Sequence, residues 1–138
     1  MTWCALGEVA VEAKVLIVDD STIMVDTLDS ILSSHGCYVE SCLDGETGWQ
    51  RIRAGMTGEI PLPDLLLLDL NMPGLDGMTL LDRIRAEERL ARLPVIVITA
   101  ATDATTRKRA LKAGANDYLS KPVVLSELLS RVEVFSSP

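Results

Sequence analysis

Five polar positions in this 138-residue chain sit where short apolar runs give out. Lys14-Val15-Leu16-Ile17-Val18 runs into Asp19-Asp20, and Leu65-Leu66-Leu67-Leu68 runs into Asp69. Val95-Ile96-Val97-Ile98 runs into Thr99, and Asp117-Tyr118-Leu119 leads through Ser120 to Lys121. Three carboxylates brought together repel one another, and burial raises their pKa values further. A hard divalent cation such as Mg²⁺ removes that conflict while keeping waters that substrate oxygens can replace. Lys121 adds a point charge and Thr99 a hydroxyl donor. A carboxylate nucleophile, a metal, a lysine and a hydroxyl make a plausible site for accepting a phosphoryl group.

The elements that must position these groups follow from the hydrophobic pattern. Four leucines between Pro63 and Met72-Pro73-Gly74 are too few for a membrane span, which needs about 20 apolar residues. They are too unbroken for a strand with one wet face, so they read as a strand buried on both faces of a parallel sheet. Val15–Val18 and Val95–Ile98 read the same way, and Tyr38–Leu43 and Asp117–Leu119 as outer strands.

Between them lie helical patterns. Met24, Leu28, Ile31, Leu32 and His35 share one face, stopped by Gly36. A second helix, capped by Asp44, buries Gly48, Trp49 and Ile52 and ends at Gly55. A third, capped by Asp76, turns Leu80, Leu81 and Ile84 inward. A fourth carries Arg107, Lys108, Arg109 and Lys112 and stops at Gly114. A fifth has Leu125, Leu128, Leu129, Val132 and Phe135 on its apolar face. The loop from Gly55 to Pro63 is longer than the architecture needs.

Strand–helix alternation five times over predicts an α/β fold, (βα)5, with a doubly wound parallel five-stranded sheet in a three-layer sandwich. Strand order 2-1-3-4-5 places the three most apolar strands centrally. Sites in such sheets lie beyond the carboxyl ends of the strands, where all five polar positions fall. Residues 1–13 read as an N-terminal lead-in, 14–136 as one domain, and 137–138 as a tail or the start of a linker.

Composition narrows the classes. Hydrophobic residues make up 48% and charged residues 24%, an ordinary globular balance. Only five residues are aromatic, so the core is aliphatic. A formal net charge of -7 argues against a non-specific nucleic-acid binder. Cys4, Cys37 and Cys42 lack metal-ligand spacing and read as reduced packing thiols, and no stretch reads as a signal peptide or membrane span. The expectation is a soluble, cytoplasmic protein.

Taken singly, each position has an ordinary explanation. Asp19-Asp20 could be a solvated turn and helix cap, Asp69 a strand-end acid satisfying loop amides, and Thr99 a cap of the fourth helix. Tyr118 could be a fixed, half-buried ring, and Lys121 a surface lysine before a turn proline. The basic run Arg107–Lys112 could be a solvated face or a docking surface. His35, the only histidine, suits a helix C-terminus as a structural residue. Other functions on this architecture remain open: a phosphohydrolase, which wants a second acid where Asn71 stands; a flavodoxin-like cofactor module, whose phosphate Asp19-Asp20 would repel; or a module used only for docking.

Four stretches together resemble the receiver domains of two-component response regulators. They are Val15–Ser21 (VLIVDDS), Leu67–Gly77 (LLDLNMPGLDG), Val97–Ala100 (VITA) and Ala113–Pro122 (AGANDYLSKP), all in order within residues 14–136. The resemblance implies that Asp69 accepts a phosphoryl group from a sensor histidine kinase or phosphotransfer protein. It implies Mg²⁺ (or Mn²⁺ as substitute) held by Asp19, Asp20, Asp69 and the backbone carbonyl of Asn71. Lys121 would pair with Asp69 and then with the phosphate, with Thr99 and the Ala100 amide as further phosphate donors. Tyr118 would swing inward as Thr99 moves, and the Lys121-Pro122 bond would be cis. A surface made by the fourth helix, fifth strand and fifth helix would then control an output domain or partner. No contact with nucleic acid or membrane by this domain is implied. Asn71 and Ala101, near the attacking water, bear on the lifetime of the phosphorylated state. Val123 and Val124 stand where DNA-binding members of the family carry Phe and a capping Asp or Ser, which points away from that subgroup.

Overall fold

In a computed structural model, residues 12–100 and 103–136 are described. Five parallel strands form one sheet: β1 (Lys14–Val18), β2 (Tyr38–Cys42), β3 (Leu65–Leu68), β4 (Val95–Thr99) and β5 (Asp117–Ser120). Their order is β2-β1-β3-β4-β5, as the burial of the apolar runs predicts. Five helices alternate with them: α1 (Thr22–Ser34), α2 (Gly45–Met56), α3 (Gly77–Ala86), α4 (Ala104–Lys112) and α5 (Leu125–Ser136).

Strand alternation sorts the core into two layers. Val15, Ile17, Leu65, Leu67, Ile96, Ile98 and Leu119 pack with α1 and α5 through Val25, Leu28, Leu32, Leu128 and Val132. Leu16, Val18, Leu66, Leu68, Val95, Val97 and Tyr118 pack with α2, α3 and α4 through Ile52, Leu80, Leu81, Ile84 and Ala110. Every residue of β3 and β4 is buried, because helices cover both faces of a parallel sheet. Asp44 and Asp76 cap α2 and α3, accepting from the amides of Thr47 and Thr79 at 2.8 Å each.

Details differ from the sequence expectation. β2 stops at Cys42 rather than Leu43, and α2 runs one residue past Gly55. Trp49 is only partly buried, and Leu125 is 46% exposed, outside the apolar face of α5. Val25 takes a core position the periodic reading passed over, and a 3₁₀ turn (Glu88–Leu90) follows α3. Ala13 is buried and accepts from the Tyr38 amide at 2.8 Å. His35 sits at the C-cap of α1, its Nδ1 2.9 Å from the Ile31 carbonyl. Cys37 and Cys42 are buried, and burial pushes both thiols up. Among the described residues no helix is long and apolar enough to cross a membrane. Cys4, Trp3, Ala101 and the 137–138 tail lie outside the described residues.

Candidate functional site

Register brings the acids together. Val18 pairs with Leu68, so the residues that follow them, Asp19 and Asp69, emerge side by side. Backbone bonds from the Asp19 amide to Cys42 O (3.1 Å) and from the Asp69 amide to Val18 O (3.0 Å) extend the ladder to the carboxylates. One carboxylate oxygen from each of Asp19, Asp20 and Asp69 lies within 4.8 Å of the others. Asp19 and Asp69 are 2% and 6% exposed, whereas Asp20 faces solvent. An all-oxygen donor set of three acids is of the kind that could hold a hard divalent cation.

Local turns aim the side chains. Asp19 Oδ1 accepts from the Ser21 amide at 3.0 Å, and Ser21 Oγ caps α1 by accepting from the Met24 amide at 3.2 Å. Asp69 Oδ1 accepts from the Asn71 amide at 3.2 Å. Gly77 starts α3 against this loop, donating to Leu70 O, and a Cβ there would stand 2.2 Å from the Asp69 carbonyl oxygen. Ser21 and Gly77 were not singled out as site residues in the sequence reading. A serine at the N-cap position after Asp-Asp was the available signal for the first. The second had none, because its need comes from a contact.

Thr99 ends β4 fully buried, and its Oγ1 accepts from the Asn71 side-chain amide at 3.3 Å. The Lys121 amide donates to Thr99 O at 2.9 Å, and the Lys121-Pro122 peptide is cis. From this strand end the lysine side chain reaches both buried acids. Its Nζ donates to Asp19 Oδ2 at 2.9 Å and to Asp69 Oδ2 at 3.4 Å. Pairing is therefore tighter with Asp19 than with Asp69, the partner expected from the sequence. Each acid also holds one backbone amide on Oδ1, from Ser21 on Asp19 and from Asn71 on Asp69, and the Thr99 hydroxyl adds a further donor to Asp69.

Burial pushes the Asp69 carboxyl above its ordinary range, and the Asp19 charge adds to this. The Asn71 amide, Lys121 and the Thr99 hydroxyl offset only part of it. Burial alone would lower Lys121, but the hydrogen bond to Asp19 and the two negative charges outweigh it, so its pKa is raised. The lysine is firmly cationic beside a carboxylate that resists ionisation.

Tyr118 is 7% exposed and packs in the layer with α2, α3 and α4. Strand alternation decides this: Tyr118 pairs with Val97, and both face that layer. Ala100 lies exposed at the bend after β4.

Comparison with known families matches residues 15–133 to the response regulator receiver domain. The chain is 35% identical over 119 residues to the DNA-binding dual master transcriptional regulator RpaA of Synechocystis, covering 86% of this chain and 47% of that protein. It is 37% identical over 120 residues to the transcriptional regulatory protein PrrA of Mycobacterium tuberculosis, covering 87% of this chain and 48% of that protein. Thus it spans about half the length of these relatives, and transcriptional regulators lie among them despite Val123 and Val124. The receiver domain of a Francisella response regulator superposes with a TM-score of 0.80 at 28% identity, covering 91% of this chain and 97% of that one.

Proposed function

This chain belongs to the response regulator receiver domain family, and we propose that it is a phosphorylation-controlled switch whose phosphoacceptor is Asp69. The observation that carries the proposal is the gathering of Asp19, Asp20 and Asp69 within 4.8 Å of one another, with Lys121 Nζ on two of them. An Asp69 carboxylate oxygen attacks the phosphorus of a phosphohistidine on a sensor histidine kinase or phosphotransfer protein. A P–O bond forms, the P–N bond breaks, and the donor leaves as histidine.

Asp19, Asp20, Asp69 and the Asn71 backbone carbonyl would hold Mg²⁺, or Mn²⁺ in its place, which when bound neutralises the acids and the incoming phosphoryl oxygens. Lys121, paired with both buried acids, supplies a fixed positive charge to the phosphoryl group. The Thr99 hydroxyl and the Ala100 amide donate to phosphoryl oxygens. Asn71, which donates to Thr99, occupies the place of the second acid a phosphohydrolase wants. The domain is regulatory and catalyses only its own phosphorylation and dephosphorylation, with Asn71 and Ala101 setting the lifetime.

Aspartyl phosphate adds about 1.5–2 negative charges to a site built around one lysine. Thr99 and Tyr118 carry the change to α4, β5 and α5, the surface that meets an output domain or partner. α4 exposes Arg107, Lys108, Arg109 and Lys112 there, and Arg131 of α5 pairs with Asp117 of β5. The partners are protein, without direct nucleic-acid or membrane contact by this domain, and the setting is cytoplasmic.

Intact mass after incubation with acetyl phosphate and Mg²⁺ tests the reading. The wild-type chain should gain one phosphoryl group, about 80 Da, and Asp69→Ala should gain none. Failure of the wild type to form an adduct, with beryllofluoride also failing to bind, would sink the phosphoacceptor assignment.

A further inference from the structure

Asn71 enters the acid site twice, from two parts of one residue. Its backbone amide donates to Asp69 Oδ1 at 3.2 Å, and its side-chain amide donates to Thr99 Oγ1 at 3.3 Å, 28 positions along the chain. The first contact belongs to the turn after β3 and is open to any residue except proline. The second depends on the asparagine side chain.

Thr99 is fully buried at the end of β4. A hydroxyl has one proton to give and two lone pairs that receive. The Asn71 amide takes up a lone pair, and the hydroxyl itself donates to Asp69. The three groups therefore form a directed chain, from Asn71 to Thr99 to Asp69. A β-branched side chain is stiff at χ1, so a threonine hydroxyl occupies discrete positions rather than drifting between them. A donor on its oxygen selects one of those positions.

The two ends of this bond differ in access. Thr99 is 0% exposed, whereas Asn71 faces solvent. An amide that leaves Thr99 finds water at once, so the bond opens at small cost. A hydrogen bond of this kind shifts a two-position equilibrium by about three- to tenfold, enough to bias it and too little to lock it.

We propose that the Asn71 side chain is a latch on Thr99: it holds the hydroxyl on the Asp69 carboxylate in the unphosphorylated chain, and it lets go when the hydroxyl turns to a phosphoryl oxygen. Asn71 is thus a positioning residue that sets how readily the chain switches, apart from how long the phosphorylated state lasts. The inference rests on Asp69 as phosphoacceptor, but its first test does not.

That test is the χ1 population of Thr99, read from three-bond couplings to its γ-methyl carbon in the metal-free, unphosphorylated chain. The wild type should show one dominant rotamer. Asn71→Ala and Asn71→Leu keep the backbone amide and lose the side-chain donor. Each should raise the ratio of minor to major rotamer by about three- to tenfold. The second measurement is the midpoint of beryllofluoride binding in Mg²⁺. It should fall by about three- to tenfold in both variants, and the fall should vanish when Thr99→Val removes the hydroxyl as well.

Unchanged Thr99 rotamers in both variants overturn the latch. A shift in Asn71→Ala alone also overturns it, because the side chain would then only fill space. So does a midpoint change that persists undiminished without the hydroxyl. Failure of the wild type to bind beryllofluoride, with the rotamer shift intact, would instead sink the phosphoacceptor reading and leave the Asn71–Thr99 bond purely structural.

Discussion

Lys121 and Arg85 are two long cations drawn into opposite ends of the same sheet, and the protein treats them oppositely. Arg85, near the C-terminus of α3, donates to the carbonyls of Gly114 (3.0 Å), Leu90 (3.0 Å) and Leu93 (2.8 Å) and to Asn116 Oδ1 (3.0 Å). The same Asn116 oxygen accepts from the Val95 amide at 2.9 Å, so one guanidinium ties α3, the 3₁₀ turn and the starts of β4 and β5. None of its partners is an acid, and burial pulls its pKa down. Gly114 makes room for it: a Cβ there would stand 2.7 Å from Arg85 Cγ, and φ is +114°. Lys121 instead faces acids that outnumber it three to one. Neutral dipoles satisfy a cation whose task is to hold elements together. Where a cation and a phosphoryl group are to be received, acids are left in excess and the conflict is kept.

The widest separation between the two ends should come from Arg85→Ala. It takes the guanidinium from four acceptors, of which Asn116 Oδ1 and Leu90 O keep a backbone amide, and opens space beneath α3. A loss of about 3 kcal/mol is expected in urea unfolding, with acetyl-phosphate labelling of the folded fraction retained. Equal losses of stability and of labelling would show that the two ends are not separable.

Relieving the acid excess should work in the other direction. Mg²⁺ at about 100 times its Kd should stabilise the wild-type chain by about 2.7 kcal/mol. A chelator should reverse the gain, and Asp19→Asn should blunt it. An unchanged melting temperature in Mg²⁺ would mean that the acids hold no cation.

A smaller effect is expected from Asp69→Asn in metal-free buffer, a gain of about 1 kcal/mol. The sign follows from the raised pKa of Asp69. The folded chain holds this proton more tightly than the unfolded chain does. The associated stability is fully present below the ordinary Asp range and lost as pH rises through the raised value. The advantage of Asp69→Asn should therefore be clear at neutral pH and shrink as pH falls below the usual carboxylate range. An advantage independent of pH would assign it to packing rather than charge.

Much of this was legible in the sequence, for a local reason. Unbroken apolar runs of four or five residues bounded by turn residues fit strands covered on both faces, and the helical periodicities between them specify α/β alternation. Such apolar runs end at the first charged residue, so Asp19 and Asp69 fall at carboxyl ends, as Thr99 does in closing β4. Helix caps at Asp44 and Asp76 were equally plain, since capping acts over three residues.

What only the tertiary structure decided acts over longer range. Lys121 reaches Asp19 across 102 positions. The face on which Tyr118 is buried follows from the register of β5 on β4. The cage around Arg85 has no local signature, because carbonyls from separate segments build it. Pattern tells which residues must be buried and where chain segments end. Which charges meet, and how far burial moves a carboxyl from its ordinary pKa, is set by distance and desolvation, and those exist only once the chain has folded.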